Sequence, residues 1–141
     1  SPGPVMIANL QRLAAITGDL TPAEAAQKSL TALSGLAVRL PQGEATLLMA
    51  GCFALTAPVE IALVGGALPG SAPLRRAIHA RFIPNKIIVG GLGGGHSELP
   101  LLKGRLTAQT PTCFVCRDGT CRLPVTDPVL LETDLAAVLR P

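Results

Sequence analysis

The chain has 141 residues, 48 % apolar and 15 % charged, which excludes a disordered polymer and allows one domain, or one domain plus part of another. Aromatic residues are only 2 %, three Phe without Tyr or Trp, which argues against a stacking platform for single-stranded nucleic acid. The net charge of +3 comes from twelve dispersed basic residues, only Arg75 and Arg76 being adjacent, and reads as solvated surface rather than a phosphate-tracking stripe.

The first third predicts helices. Val5, Met6, Leu10, Leu13 and Ala14 recur at helical spacing, and Gly18 stands where a helix C-terminal glycine belongs. Thr21-Pro22-Ala23-Glu24 offers an N-cap Thr, a Pro at the first helical position and a Glu three residues after the cap. That helix carries Ala26, Leu30, Leu33, Leu36 and Ala37, and Pro41 closes it. A third helix, from about Glu44 to Leu55, is apolar nearly all round, as in a helix buried on more than one side.

The pattern changes at Pro58. Glu60 to Val64, followed by Gly65-Gly66, predicts a buried strand ending in a glycine turn. A helix from Ser71 to Ala80 and a second strand at Lys86 to Val89 complete a right-handed parallel strand-helix-strand unit. Gly90 to Pro111 has no clear period and reads as a long loop. A strand from Thr112 to Cys116, a hairpin and a helix capped by Asp127-Pro128 end the chain. The expected fold class is therefore α/β: a small, mostly parallel sheet of about three strands with a terminal hairpin, preceded by helices. The division falls at residues 1–57 and 58–141.

No targeting or membrane segment is expected. The longest apolar stretch, Ala45 to Val59, is too short to span a bilayer, and Ser-Pro-Gly-Pro at the start lacks the basic region of a signal peptide. Four cysteines are too few and too unevenly spread for a disulfide scaffold, so a reducing, cytoplasmic setting is the expectation.

The cysteines carry the most chemistry. Cys113 and Cys116 have C-x-x-C spacing, but their flanks predict a strand, where residues an odd number apart point to opposite faces. They are not placed as a redox pair, and Cys113 reads as core. Asp118-Gly119 is a preferred two-residue hairpin turn. It would pair Arg117 with Thr120, then Cys116 with Cys121 at a non-hydrogen-bonded position with Cα atoms roughly 4.5 Å apart. Disulfides tolerate roughly 4.4–6.8 Å, so a cross-strand bond and two neighbouring thiols both fit.

Other constellations are weaker. The C-x2-C-x4-C spacing matches no ordinary zinc finger even with His96 as a fourth ligand, and no metal is expected. His79 lies between Arg76 and Arg81 on a surface helix face, and neither histidine has a local acid or serine partner for a triad. Gly65, Gly66 and Ser71 join a strand to a helix start, where amides can receive an anion such as a phosphate or a polar sugar group. The segment is neither G-x-G-x-x-G nor a P-loop, and tight turns explain its glycines as well. No cofactor is implied.

Three stretches carry a resemblance: Asn9-Leu10-Gln11-Arg12-Leu13 with Thr17-Gly18-Asp19; Val59 to Gly65 with Arg81 to Lys86; and Phe114-Val115-Cys116-Arg117 with Cys121 and Pro124-Val125-Thr126-Asp127. Together with Leu99 to Gly104 they resemble the C-terminal region of the thioredoxin-domain-containing, α/α-toroid family that includes the spermatogenesis-associated thioredoxin-like protein. Members are several times longer, with a Trp-Cys-bearing thioredoxin-like domain followed by a toroid similar to those of sugar-processing enzymes. The resemblance implies that residues 1–57 are the last toroid helices and 58–141 a C-terminal α/β unit. It implies a non-catalytic structural or interaction module of a larger protein of poorly defined activity, partnered by that protein's other domains. Thiol–disulfide participation through Cys116 and Cys121, and sugar or phosphate binding at the Gly65–Ser71 turn, are the alternatives. Leu10, Leu13, Leu30, Leu33, Leu36, Leu47, Leu48 and Phe53 put apolar surface on several helix faces, so a homodimer through the N-terminal helices is also expected. No nucleic-acid or membrane partner is.

Overall fold

The computed structural model describes residues 2–92, 97–106 and 109–139. The chain divides into two compact units, residues 1–57 and 58–141.

The first unit is three helices: α1 (Pro2–Thr17), α2 (Leu20–Arg39) and α3 (Ala45–Leu55). Gly18 ends α1 in the left-handed conformation, at φ 75°, while its amide donates to the Ala14 carbonyl over 2.8 Å. The cap of α2 is Asp19 rather than Thr21: its carboxylate accepts the Thr21 amide at 2.9 Å. The helix therefore starts two residues early, and Pro22 sits within the first turn, where its missing N–H costs nothing. Ile7, Ala26, Leu47 and Ala50 form the buried centre, with Leu10, Leu30, Leu33 and Ala37 packed around it. Of the leucines expected on an association face, Leu13, Leu36 and Leu48 remain exposed.

The second unit is α/β. It contains β1 (Val59–Val64), α4 (Ser71–Ala80), β2 (Lys86–Gly91), β3 (Thr112–Arg117), β4 (Thr120–Cys121) and α5 (Pro128–Ala137). The strand order is β2-β1-β3-β4. Only β1 and β2 run parallel; β3 pairs antiparallel with β1 and β4 antiparallel with β3. The sheet is thus mixed, a correction to the mostly parallel expectation. The reason lies in where the long connection ends. Val64 pairs with both Gly91 and Thr112, so β2 finishes and β3 begins at the same end of the sheet. A parallel β3 would need a crossover spanning the sheet.

Alternation along the strands gives the sheet two distinct faces. Val59, Ile61, Leu63, Cys113 and Val115 share one buried cluster with Leu74, Ala77 and Ile78 of α4 and Leu131 and Leu135 of α5. Asp127 starts α5 by accepting the amides of Val129 and Leu130 at 2.7 and 3.2 Å. The opposite face presents Glu60, Ala62 and Val64 of β1, Ile87 and Val89 of β2, and Thr112, Phe114 and Cys116 of β3. Leu101, Leu102 and Leu106 are buried, and a side chain at Gly91 would meet Leu106 and Leu102, which places this turn-rich segment on that face. Gly91 thereby lets the segment come close to β2.

Candidate functional site

Asp118 and Gly119 both adopt positive φ, 52° and 71°, the signature of the two-residue turn that matches strand twist. The turn sets Cys116 opposite Cys121 with Cα atoms 4.0 Å apart, and the two sulfurs are bonded. Cys116 is buried and Cys121 exposed, so a thiol arriving from solvent meets the Cys121 sulfur first.

Arg105 covers the bond. Its Nη2 donates to Cys121 Sγ at 3.2 Å and its Nη1 lies 3.7 Å from Cys116 Sγ. The guanidinium is anchored by the Leu101 carbonyl at 3.3 Å and lies over the Phe114 ring, 4.7 Å from its centroid. A fixed cation therefore faces both sulfurs, the microenvironment that favours thiolate over thiol. Glu60 completes the group. It pairs with Cys116 across β1 and β3, which puts both side chains on the face that Arg105 occupies. Burial pushes the Glu60 carboxyl above its ordinary value, and the Arg105 charge partly opposes that shift.

Cys113 belongs to the helix-side core, and burial pushes its thiol up to about 12. It is a packing residue with no thiolate at neutral pH. Cys52, on α3, is an exposed thiol of the other unit.

The Gly65–Ser71 turn is tied up internally. The Gly65 and Gly66 amides both donate to the Gly91 carbonyl, at 2.9 and 3.2 Å. The Ser71 hydroxyl donates to the Gly66 carbonyl at 2.7 Å and accepts from Arg75 at 2.9 Å, while Arg75 also reaches the Gly66 carbonyl. These contacts join the ends of β1 and β2 to the start of α4, and they engage the Gly65 and Gly66 amides and the Ser71 hydroxyl internally. His79 lies exposed on α4, and His96 lies outside the described residues. Among the described residues, no three His, Cys, Asp or Glu side chains converge as metal ligands. No helix of the described residues is long and apolar enough to cross a membrane.

Glu60 and Arg105 escaped the sequence reading. Glu60 is the one acid in an otherwise apolar strand, a signal visible in the sequence. Arg105 sits in a stretch without periodicity and reaches sulfurs 11 and 16 residues away only through the fold. No family model matches the chain, and neither does any curated protein or solved structure.

Proposed function

We propose that the 58–141 unit is a thiol–disulfide exchange module acting through Cys116 and Cys121. The observation that carries this reading is the Arg105 guanidinium held against both sulfurs of a bond with one exposed end. In the exchange, one thiolate of an incoming dithiol attacks Cys121 Sγ and the S–S bond breaks. Cys116 leaves as a thiolate beside Arg105, and a mixed disulfide with Cys121 remains. The second thiolate of the dithiol resolves that mixed disulfide, releasing Cys121. The dithiol becomes a disulfide, and the two electrons and two protons it gives up are found on Cys116 and Cys121. The reverse sequence reduces a partner's disulfide: the Cys121 thiolate attacks one of its sulfurs and displaces the other as a thiolate, and the Cys116 thiolate then attacks Cys121 Sγ, releasing the partner's dithiol and re-forming the Cys116–Cys121 bond.

A purely structural staple is the weaker account of this bond. It joins residues five apart in a hairpin whose turn is already well formed, and short loops gain least from closure. Thiol counting tests the reading. In the native protein, iodoacetamide should label Cys52 and spare Cys113; after dithiothreitol and removal of the reductant under argon, the exposed Cys121 should label as well, with the circular dichroism spectrum unchanged, and buried Cys116 should label once the alkylated protein is denatured. Labelling of Cys121 only after denaturation would refute exchange in the folded state.

A second reading concerns residues 1–57. Leu20, Val38, Leu40 and Leu55 are exposed besides Leu13, Leu36 and Leu48, and exposed apolar side chains that form one patch mark interaction surfaces. We propose that this unit serves association, with further helices of a longer parent protein of the toroid kind or with a second copy. Light scattering at micromolar concentration should give a mass above the 14.4 kDa of one chain, and Leu36→Glu should lower it without unfolding. A clean monomer would contradict self-association. Leu33→Glu should instead unfold the unit, because Leu33 packs against its core.

A further inference from the structure

We infer that Glu60 is the proton carrier of the Cys116–Cys121 pair, protonating the Cys116 sulfur as the bond opens and taking that proton back when the bond re-forms. This rests on the exchange reading and assigns a role within it to a residue outside the disulfide.

The placement follows from register. Glu60 and Cys116 are directly opposed on adjacent antiparallel strands, where paired side chains share a face with Cβ atoms roughly 5 Å apart. Cys116 is 1 % exposed, so solvent cannot deliver a proton to its sulfur directly. Glu60 is half-buried: its side chain shares the Cys116 face and keeps part of its surface open to water. On the other side Glu60 pairs with Ile87 of β2, which is apolar. The charged group that bears on Glu60 from the segment packed over this face is Arg105, and the titratable groups beside it there are the two cysteines. Lys86 points to the other face, where its ammonium donates to the Ile78 carbonyl at 2.9 Å.

The chemistry matches each half-reaction. On reduction, a neutral Glu60 carboxyl donates its proton to the departing Cys116 thiolate and becomes a carboxylate held near Arg105. On oxidation, the carboxylate removes the proton from the Cys116 thiol, which then attacks as a thiolate. Burial pushes the Glu60 carboxyl up, so its neutral form persists to higher pH than that of a solvated glutamate.

The test uses the full chain carrying Cys52→Ala, with reduction by dithiothreitol followed from pH 5 to 8 by acid quench and mass spectrometry of Cys116 and Cys121. Rates are divided by the thiolate fraction of the reductant. With Glu60 present, the normalised rate should fall as pH rises through the carboxyl's titration. Glu60→Gln should slow the acid side about tenfold and flatten the profile, a modest share of the effect general acids commonly have. Glu60→Asp should restore part of the slope. A merely electrostatic role has the opposite sign: removing a negative charge beside the leaving thiolate would speed reduction in Glu60→Gln. A faster or unchanged Glu60→Gln protein with the same pH profile overturns the Glu60 assignment alone. A bond that dithiothreitol cannot open in the folded Cys52→Ala protein overturns the exchange reading and this inference with it.

Discussion

Leu131→Ala should destabilise the 58–141 unit by about 2–5 kcal/mol, the usual cost of emptying a leucine site in a core that cannot collapse around the gap. Leu131 is fully buried and lies in one cluster with Leu74, Ile78, Cys113 and Val115, so its removal leaves a hole between α4, α5 and the sheet. Leu130 provides the internal control. It precedes Leu131 on the same helix but is 58 % exposed, and Leu130→Ala should change stability by no more than about 0.5 kcal/mol. Urea unfolding monitored by circular dichroism measures both. Equal losses for the two variants would contradict the face assignment of α5.

Arg105→Gln should make the Cys116–Cys121 bond harder to reduce, by about tenfold in the equilibrium with dithiothreitol. A hydrogen bond to a charged group contributes about 1.5–3 kcal/mol, and Arg105 is only half-buried, so solvent screening argues for the lower end. For a two-electron couple, about 1.4 kcal/mol corresponds to tenfold in the equilibrium, or about 30 mV. Arg105→Lys should keep part of the effect, since it retains the charge but loses the planar fork that contacts both sulfurs and stacks on Phe114. The fold should survive either change, because Arg105 is only half-buried and does not belong to the buried core. High salt should narrow the difference between wild type and Arg105→Gln. An unchanged equilibrium in Arg105→Gln would leave the cation without a role in the chemistry.

Much of the local structure is written in short sequence signals. Asp118-Gly119 specifies the hairpin because both positions must take positive φ, which Gly adopts freely and Asp tolerates. Asp127-Pro128 specifies the start of α5 because a carboxylate can take the amides that a helix start leaves over. The opposite orientation of Cys113 and Cys116 follows from the strand period of two. Strand direction is another matter. The alternation of Thr112–Arg117 reads the same in either sense, so the antiparallel setting of β3 depends on the route of the preceding connection. The α2 cap falls at Asp19 instead of Thr21 because Thr21-Pro22 and Asp19-Leu20 both make acceptable starts, and only the Thr21 amide donating to the Asp19 carboxylate decides between them. The candidate site shows the same limit. Cys116 and Cys121 are near in sequence and joined by a recognisable turn, whereas Glu60 reaches them by strand register and Arg105 by a segment with no repeating pattern. Glu60 stands out in the sequence as the one acid of an apolar strand, but its place beside Cys116, like the reach of Arg105, is set by tertiary structure.

The most direct measurement is the reduction potential of the Cys116–Cys121 pair in the folded Cys52→Ala protein, equilibrated across dithiothreitol redox buffers with mass spectrometry for the thiol state and circular dichroism for the fold. Exchange chemistry predicts a reversible two-electron transition above about −300 mV, the side on which labile and catalytic disulfides fall, with the α/β unit folded in both states. A pair that stays bonded well below that potential, or that opens only as the unit unfolds, would contradict it.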